Sequence, residues 1–272
     1  MTIKLADLLP VFESLWPEAG ADEWDQVGLA SGSPEQQIER VLLCVDPTIK
    51  VLQEAKQRSC QLVVSHHPLL LEGVHSVAEG ELKGDILSFA ITNSIALFSA
   101  HTNADIVPGG VSDILATKIG LRNTVPLVPT SGDSGHGRIG TLEQALSVSE
   151  LANKINEALP ATSAPIRIAG DPSKKVSKVA VVGGSGASFI VDAINSGAEC
   201  FVTSDLKHHV SLDAISDQAN EISLIDISHF AAESLWLAPA AARLADLVPA
   251  VEFLISEINT DPWSLTIQGK LS

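Results

Sequence analysis

The chain has 272 residues, of which 45% are hydrophobic and 18% are charged. This composition is typical of globular proteins and excludes disordered and collagen-like chains. The formal net charge is −16, so we do not expect general nucleic-acid binding. The chain has only three cysteines, which excludes a disulfide scaffold or a thiolate-rich zinc site and indicates a reducing compartment.

The most hydrophobic segment, residues 235–255, does not have the pattern of a membrane span. It is interrupted by Pro239, Arg243 and Asp246, whereas a transmembrane helix needs about 20 predominantly apolar residues in a row. The N-terminal apolar stretch is interrupted by Asp7 and lacks the features of a signal peptide. These features predict a cytoplasmic protein that does not bind membranes.

Periodic and continuous apolar runs predict strands that alternate with helices. The first helix covers residues 5–16, where apolar residues recur at helical spacing, and Pro17 ends it. The later elements, in chain order, are a strand at 40–45, a helix at 49–58, a strand at 61–64, a helix at 84–93, a strand at 95–99, a helix at 111–119, a Pro/Gly/Ser-rich linker at 122–137, a helix at 151–159 behind a capping box at 147–150, a strand at 176–182, a helix at 189–195, strands at 200–203 and 222–227, and a helix from 229. This order predicts an α/β fold with mostly parallel sheets.

The two halves of the chain repeat the same order of elements. A shift of 138 residues superposes residues 40–65 on 178–203 without a gap. We interpret this as an internal duplication and predict two similar three-layer α/β domains, over residues 1–125 and 126–272. The helix after Glu233 has two open placements, on the second domain or back on the first.

Side chains of metal-ligand type follow several predicted strands: His66, His67, Asp105, His229 and Glu233. Ligands of open α/β sheets bind at the carboxyl ends of strands. Neighbouring side chains at a strand end point in opposite directions, so we expect His66 and His67 to serve two different ions. His229 and Glu233 are four residues apart and therefore share one face of a helix.

This ligand set predicts a catalytic centre with two divalent transition-metal ions. Three imidazoles and two carboxylates without a thiolate suit Zn²⁺, Mn²⁺, Fe²⁺ or Ni²⁺ and disfavour Ca²⁺. If one carboxylate is shared, each ion keeps open positions, which are typical of catalytic sites. The alternative is that an isolated histidine pair is a surface feature, and that an isolated His-x-x-x-Glu is a solvent-exposed pair.

Five short motifs stand out along the chain: Trp24–Leu29 (WDQVGL), Ser65–Pro68 (SHHP), His101–Asp105 (HTNAD), Gly183–Gly186 (GGSG) and Asp226–Glu233 (DISHFAAE). Together they resemble the NIF-three family, whose members are also named GTP cyclohydrolase 1 type 2 homologues. The resemblance covers nearly the whole chain, and the SHHP and HTNAD motifs together are the specific ones.

The resemblance implies a dinuclear metal centre between two similar α/β domains, and a ring-shaped homohexamer. The ligands carried over by position are His66, His67, Asp105, His229 and a bridging Glu233. The family names imply a metal-dependent hydrolase that acts on a nucleotide such as GTP. Because no clear general acid accompanies the ligands, a second hypothesis stays open: a non-enzymatic metal-handling or regulatory ring protein that binds partners.

The chain departs from the family pattern around the predicted pocket. Gln26, Ser228, Phe230 and Ala232 stand where the family usually has asparagine, glycine, tyrosine and threonine, and the chain has no tyrosine. The five ligands are kept, so these departures concern contacts to substrate and not the metal.

Three other histidines and the glycine-rich segment have open roles. We interpret His101 as a histidine that holds Asp105, with an extra metal ligand or a catalytic proton shuttle as the alternatives. His208 and His209 either line the pocket or are inert surface residues. The segment Gly183–Gly186 lacks both the dinucleotide-binding and the phosphate-loop fingerprints, so we predict a tight structural turn there.

Overall fold

The structure is a computed structural model that describes residues 2–216 and 221–267. The chain forms two compact units. Of the described residues, unit 1 contains 2–104 and 237–260, and unit 2 contains 105–216, 221–236 and 261–267.

The helices and strands below are those of the described residues. The helices are α1 (Leu5–Leu15), α2 (Ile49–Gln57), α3 (Leu82–Thr92), α4 (Thr102–Ile106), α5 (Val111–Lys118), α6 (Val148–Ala158), α7 (Ile190–Asn195), α8 (His208–Ser216) and α9 (His229–Leu247), with 3₁₀ turns at Glu18–Gly20 and Ala187–Phe189. The strands are β1 (Ile3–Lys4), β2 (Gly28–Ser31), β3 (Gln37–Ile38), β4 (Arg40–Cys44), β5 (Leu62–Ser65), β6 (Ala96–Ser99), β7 (Arg122–Pro129), β8 (Gly135–Ser147), β9 (Arg167–Ala169), β10 (Lys175–Ser185), β11 (Cys200–Ser204), β12 (Ser223–Ile227) and β13 (Glu252–Ile255).

Unit 1 is built on a sheet with the strand order β13-β4-β5-β6-β2. All neighbours are parallel except β2, which runs antiparallel to β6. One face of this sheet, which includes Leu42 and Val63, packs against α2 and α3. On the other face, Phe98 contacts Phe12 of α1, with 4.7 Å between the ring centroids. Helices on both faces explain why these strands are continuous apolar runs.

Unit 2 is built on a sheet with the strand order β7-β8-β10-β11-β12-β9. Strands β10, β11 and β12 are parallel, and β8 and β9 are antiparallel to their neighbours β10 and β12. Val181 and Val202 face the core with α5 and α6, while Phe201 and Leu224 face the core with α7 and α8. Unit 2 is therefore also three-layered.

The two units share one core arrangement. Strands β4, β5 and β6 of unit 1 correspond to β10, β11 and β12 of unit 2, and in each unit an antiparallel strand lies beside the third of these. The shift that superposes residues 40–65 on 178–203 thus pairs β4 with β10 and β5 with β11. The prediction of two similar three-layer α/β domains is confirmed.

The prediction of a linker at residues 122–137 is wrong. Strand β7 and the start of β8 occupy this segment and pair antiparallel, with Val125 opposite Ile139. Proline is tolerated because β7 is an edge strand, where a missing N–H breaks few ladder bonds. Gly135 is needed for space, since a Cβ there would lie 2.3 Å from the carbonyl oxygen of Val128. The prolines here therefore indicate an edge strand, and Gly135 indicates a close approach between the backbones of β7 and β8.

The compact units also divide the chain at a different point from the predicted domains 1–125 and 126–272. The first crossing lies between residues 104 and 105, because α5, β7 and β8 pack in unit 2. The chain returns to unit 1 at residue 237, and β13 then pairs with β4, with Phe253 opposite Val41. The last part of α9 therefore belongs to unit 1.

A search of the described helices for a membrane span finds none that is long and apolar enough.

The predicted capping box at the start of α6 is confirmed. The Ser147 hydroxyl accepts a hydrogen bond from the Glu150 backbone N–H, and the Glu150 carboxylate accepts one from the Ser147 N–H at 2.6 Å. Lys175 donates to the same carboxylate at 2.8 Å. These hydrogen bonds, that of Lys175 foremost, lower the pKa of Glu150 from 4.5 to about 2.

We expect the Glu150→Gln variant to be less stable than wild type at pH 7. Glutamine keeps the capping hydrogen bond but removes the charge that Lys175 and the helix N-terminus favour. Because the folded-state pKa is depressed, the stabilisation is present above about pH 4.5 and is lost as the pH falls toward 2. Urea unfolding at several pH values measures it, with the exposed Glu157→Gln on the same helix as the control. A difference that does not change with pH contradicts this account.

Candidate metal centre

His66 is fully buried just beyond the carboxyl end of β5. Its Nδ1 lies 2.9 Å from the carbonyl oxygen of Ala100. A carbonyl oxygen only accepts hydrogen bonds, so Nδ1 carries the proton and Nε2 carries the lone pair of the neutral ring. This is the tautomer that a metal ligand bound through Nε2 requires.

His67 is oriented in the same way by a carboxylate. Its Nδ1 lies 2.7 Å from Oδ1 of Asp46, which follows β4 closely. The other oxygen of Asp46 accepts a hydrogen bond from the Thr260 hydroxyl. Histidines that ligate metals usually donate their other N–H to a carboxylate, and that carboxylate is itself held by hydrogen bonds.

The expectation that His66 and His67 point in opposite directions is wrong. Their ring centroids lie 5.1 Å apart. The alternation of side chains holds only within a strand, and β5 ends at Ser65, so both histidines lie in a bend beyond it. Their backbone N–H groups instead donate to the carbonyls of Cys44 and Val45. The two rings converge.

His101 joins these two rings in unit 1. One ligand nitrogen each from His66, His67 and His101 lie within 4.8 Å of one another. Nδ1 of His101 lies 2.9 Å from Oδ1 of Asp25, a carboxylate that the sequence analysis did not single out. The predicted contact between His101 and Asp105 stays a prediction.

Asp25 is an anchored, ionised carboxylate. Burial alone would raise its pKa, but hydrogen bonds from His101 and Thr102 lower it to about 2. Thr102 donates through both its backbone N–H, at 3.0 Å, and its hydroxyl. The backbone N–H of Gln26 also donates to Asp25, at 2.7 Å. The carboxylate therefore holds the ring of His101 in place.

In unit 2, His229 and Glu233 form a close pair on the first turns of α9. The predicted N-cap is confirmed, because the Ser228 hydroxyl accepts a hydrogen bond from the Ala231 N–H at 3.1 Å. Nε2 of His229 lies 2.7 Å from Oε1 of Glu233, which is 2% exposed. Nδ1 of His229 lies 2.6 Å from Oδ2 of Asp205, the residue after β11.

The two carboxylates next to His229 favour its charged form. Burial would lower the pKa of His229, but Glu233 and Asp205 raise it to about 11. Imidazole binds metals in its neutral form, so His229 would have to lose one proton to act as a metal ligand.

The glycines of the GGSG segment are required by close packing around this pair. A Cβ at Gly184 would lie 2.6 Å from Oε1 of Glu233, and Gly184 has a φ of +78°. A Cβ at Gly183 would lie 2.5 Å from a methyl group of Val111. These contacts fit the structural interpretation of the segment, although it lies at the irregular end of β10 and not in a separate turn.

The remaining predicted site residues lie on α4 and α8. Asp105 is half-buried on α4. His208 and His209 are exposed at the start of α8, with ring centroids 5.1 Å apart, and their role stays a prediction. The assignment of all five ligands to one dinuclear centre also stays a prediction.

The sequence analysis missed the three carboxylates that orient the histidines: Asp25, Asp46 and Asp205. A signal for two of them was present. Asp46 and Asp205 follow buried strands just as the histidines do, and Asp205 has the positive φ of 59° found at tight strand ends. Asp25 precedes a strand, and only its position in the WDQVGL motif singles it out.

The sequence model of the Duf34/NIF3 (NGG1p interacting factor 3) family matches residues 3–262 of this chain. The chain therefore belongs to the Duf34/NIF3 family. This confirms the resemblance drawn from the SHHP and HTNAD motifs. A relative from Streptomyces coelicolor, named GTP cyclohydrolase 1 type 2 homolog, is 40% identical over 96% of this chain and 94% of its own length.

Solved structures of other proteins have the same fold. A Bacillus cereus protein related to NIF3 aligns with a TM-score of 0.91 at 24% identity, over 97% of this chain and 99% of that protein. A hypothetical protein of Staphylococcus aureus aligns with a TM-score of 0.89 at 27% identity, over 98% of this chain and 100% of that protein.

We expect Gly184→Ala to destabilise the protein more than the replacement of another glycine that also has a positive φ. The matched control is Gly132→Ala, where φ is +58° and nothing lies within 4 Å of the added Cβ. Both variants carry the strain of a positive φ, about 1–2 kcal/mol, but only Gly184→Ala forces the Glu233 carboxylate to move. The free energy of unfolding in urea measures the difference. Equal losses in the two variants contradict the claimed contact.

Proposed function

We propose that this protein is a hydrolase that depends on two divalent transition-metal ions, held by His66, His67, Asp105, His229 and Glu233. One observation supports it above the others. The Nδ1 atoms of His66, His67 and His229 are all engaged by protein oxygens, at 2.6 to 2.9 Å. This pattern prepares Nε2 for an ion, because histidines that ligate metals almost always donate their other ring N–H to a carboxylate or a carbonyl.

The donor set fits the proposed ions. Zn²⁺, Mn²⁺, Fe²⁺ or Ni²⁺ accept imidazole and carboxylate ligands, and the buried cysteines of the described residues are not needed as ligands. When bound, such ions acidify a water molecule and polarise the bond to be hydrolysed. The residues of the chain supply the rest: Asp46 and Asp205 hold two imidazoles in place, and Gly184, which has no Cβ, leaves room for the Glu233 carboxylate.

The proposed substrate is a nucleotide such as GTP, whose purine ring would be opened by hydrolysis. The name of the Streptomyces coelicolor relative, GTP cyclohydrolase 1 type 2 homolog, supports this substrate class. The net charge of −16 disfavours polymeric nucleic acid but allows a single nucleotide whose phosphates contact a bound cation. We also propose a cytoplasmic, ring-shaped homohexamer, because the family resemblance implies one.

The test of the proposed activity is turnover of GTP and other nucleotides by the metal-reconstituted protein. We expect Glu233→Gln to lower kcat/KM by at least about 100-fold, because the loss of an outer-shell partner alone costs 10 to 100-fold. Glu157→Gln, an exposed substitution on α6, is the control and should not change the rate. No turnover in the loaded wild type, together with fast transfer of the ion to an acceptor protein, contradicts the hydrolase and supports the metal-handling alternative.

The proposed hexamer has a separate test. We expect sedimentation to give a mass of about six times that of one chain, because the resemblance implies a closed ring. A mass of 28.6 kDa at working concentration, that of a single chain, contradicts the ring but leaves the metal site untouched.

A further inference from the structure

We propose that Trp24 is the side chain on which the base of the nucleotide stacks, so that the base lies beside the histidines of unit 1. This inference rests on the proposed function, because the substrate class is the nucleotide proposed there. It goes further by assigning the recognition of the base to a side chain that is not among the metal ligands.

The first observation is the exposure of Trp24. Trp24 is 57% exposed, whereas Trp16 and Trp236 are buried at 4% and 1%. The flat face of an exposed indole can stack on any nucleic-acid base. Exposure alone does not identify a binding residue, because Trp263 is exposed as well, at 64%. The two exposed tryptophans differ in what lies next to the ring.

The second observation is the ring that Trp24 contacts. The centroids of the Trp24 and His101 rings lie 5.7 Å apart, and the two ring planes are nearly perpendicular, at 81°. The His101 centroid lies 5.2 Å from that of His66 and 5.4 Å from that of His67. The indole is therefore one ring away from histidines that the proposed function assigns to metal binding. A base stacked on it lies next to the place where its ring would be hydrolysed.

The third observation is that the backbone around Trp24 is fixed. The Asp25 N–H donates to the Asp22 carbonyl oxygen at 2.9 Å and closes a turn that contains Trp24. Thr102 holds both ends of this turn, since its hydroxyl accepts a hydrogen bond from the Asp22 N–H at 2.9 Å and its own N–H donates to Asp25 at 3.0 Å. A rigid aromatic side chain loses little conformational entropy when it binds a ligand.

The charges around Trp24 favour one end of a nucleotide over the other. Three of the four residues 22–25 are acidic: Asp22, Glu23 and Asp25. Carboxylates repel a phosphate group, whereas they do not repel an uncharged base. We therefore expect the base to lie at Trp24 and the phosphates to point away from residues 22–25.

The test compares the binding of GMP and of ribose 5-phosphate, which lacks the base, to the metal-reconstituted full chain by calorimetric titration. We expect wild type to bind GMP more tightly than ribose 5-phosphate. Trp24→Ala should weaken the binding of GMP about tenfold, the usual effect of losing a base–aromatic stack, and should not change the binding of ribose 5-phosphate. Trp24→Phe should keep most of the affinity for GMP. The exposed Trp263→Ala is the matched control and should bind both ligands as wild type does.

A second measurement uses tryptophan fluorescence and guanosine, which has no phosphate. In the Trp263→Phe variant, Trp24 is the one exposed tryptophan, because Trp16 and Trp236 are buried. We expect guanosine to quench the emission of this variant, since a stacked base contacts the indole directly. The emission of Trp24→Phe should not respond to guanosine.

Two kinds of failure are distinguishable. If Trp24→Ala loses affinity for GMP and ribose 5-phosphate equally, the indole only supports the histidines; if its affinity for GMP is unchanged, the indole does not contact the base. Either result, or a wild type that binds the two ligands equally, overturns this inference and leaves the proposed hydrolase standing. A metal-loaded wild type that binds neither GMP nor GTP contradicts the proposed nucleotide substrate itself.

Discussion

The candidate site depends on one constraint: an imidazole ring has two nitrogens, and an oxygen that engages Nδ1 fixes the direction in which Nε2 points. In His66, His67, His101 and His229, Nδ1 faces a carbonyl or carboxylate oxygen at 2.6 to 2.9 Å. Each ring is thereby fixed in orientation, and Nε2 is directed to other partners. In the α/β architecture of each unit, most of these rings and acceptors follow the carboxyl ends of buried strands, where backbone turns expose polar groups.

Holding such groups at low exposure requires a rigid frame around them. Charged carboxylates are costly to bury unless hydrogen bonds satisfy them, and Asp25 receives donors from two backbone N–H groups, a hydroxyl and His101. Glu233 has the Gly184 backbone pressed against it, so that no side chain fits between them. The parallel strands buried on both faces supply the apolar packing that offsets these costs. The buried strands therefore supply the apolar packing, and most of the candidate-site side chains follow the ends of these strands.

Much of this arrangement could be predicted from the sequence because it depends on local patterns. Apolar runs located β4, β5, β11 and β12, and the capping box located the start of α6. The prediction failed where the local structure depends on contacts with distant parts of the chain. Residues 122–137 are rich in proline and glycine like a linker, but they form an edge strand and the start of the strand that pairs with it. The alternation rule misplaced His67, because the strand ends two residues before it. The partners of the histidines were missed because Asp25 reaches His101 only through the fold.

The central claim is that the histidines are prepared for metal ions. The most direct test is elemental analysis of the chain purified without chelator or affinity-tag nickel. The account predicts about two transition-metal ions per chain, bound through imidazole and carboxylate. Absence of bound metal, in purified protein and again after reconstitution with Zn²⁺, Mn²⁺, Fe²⁺ and Ni²⁺, would contradict it.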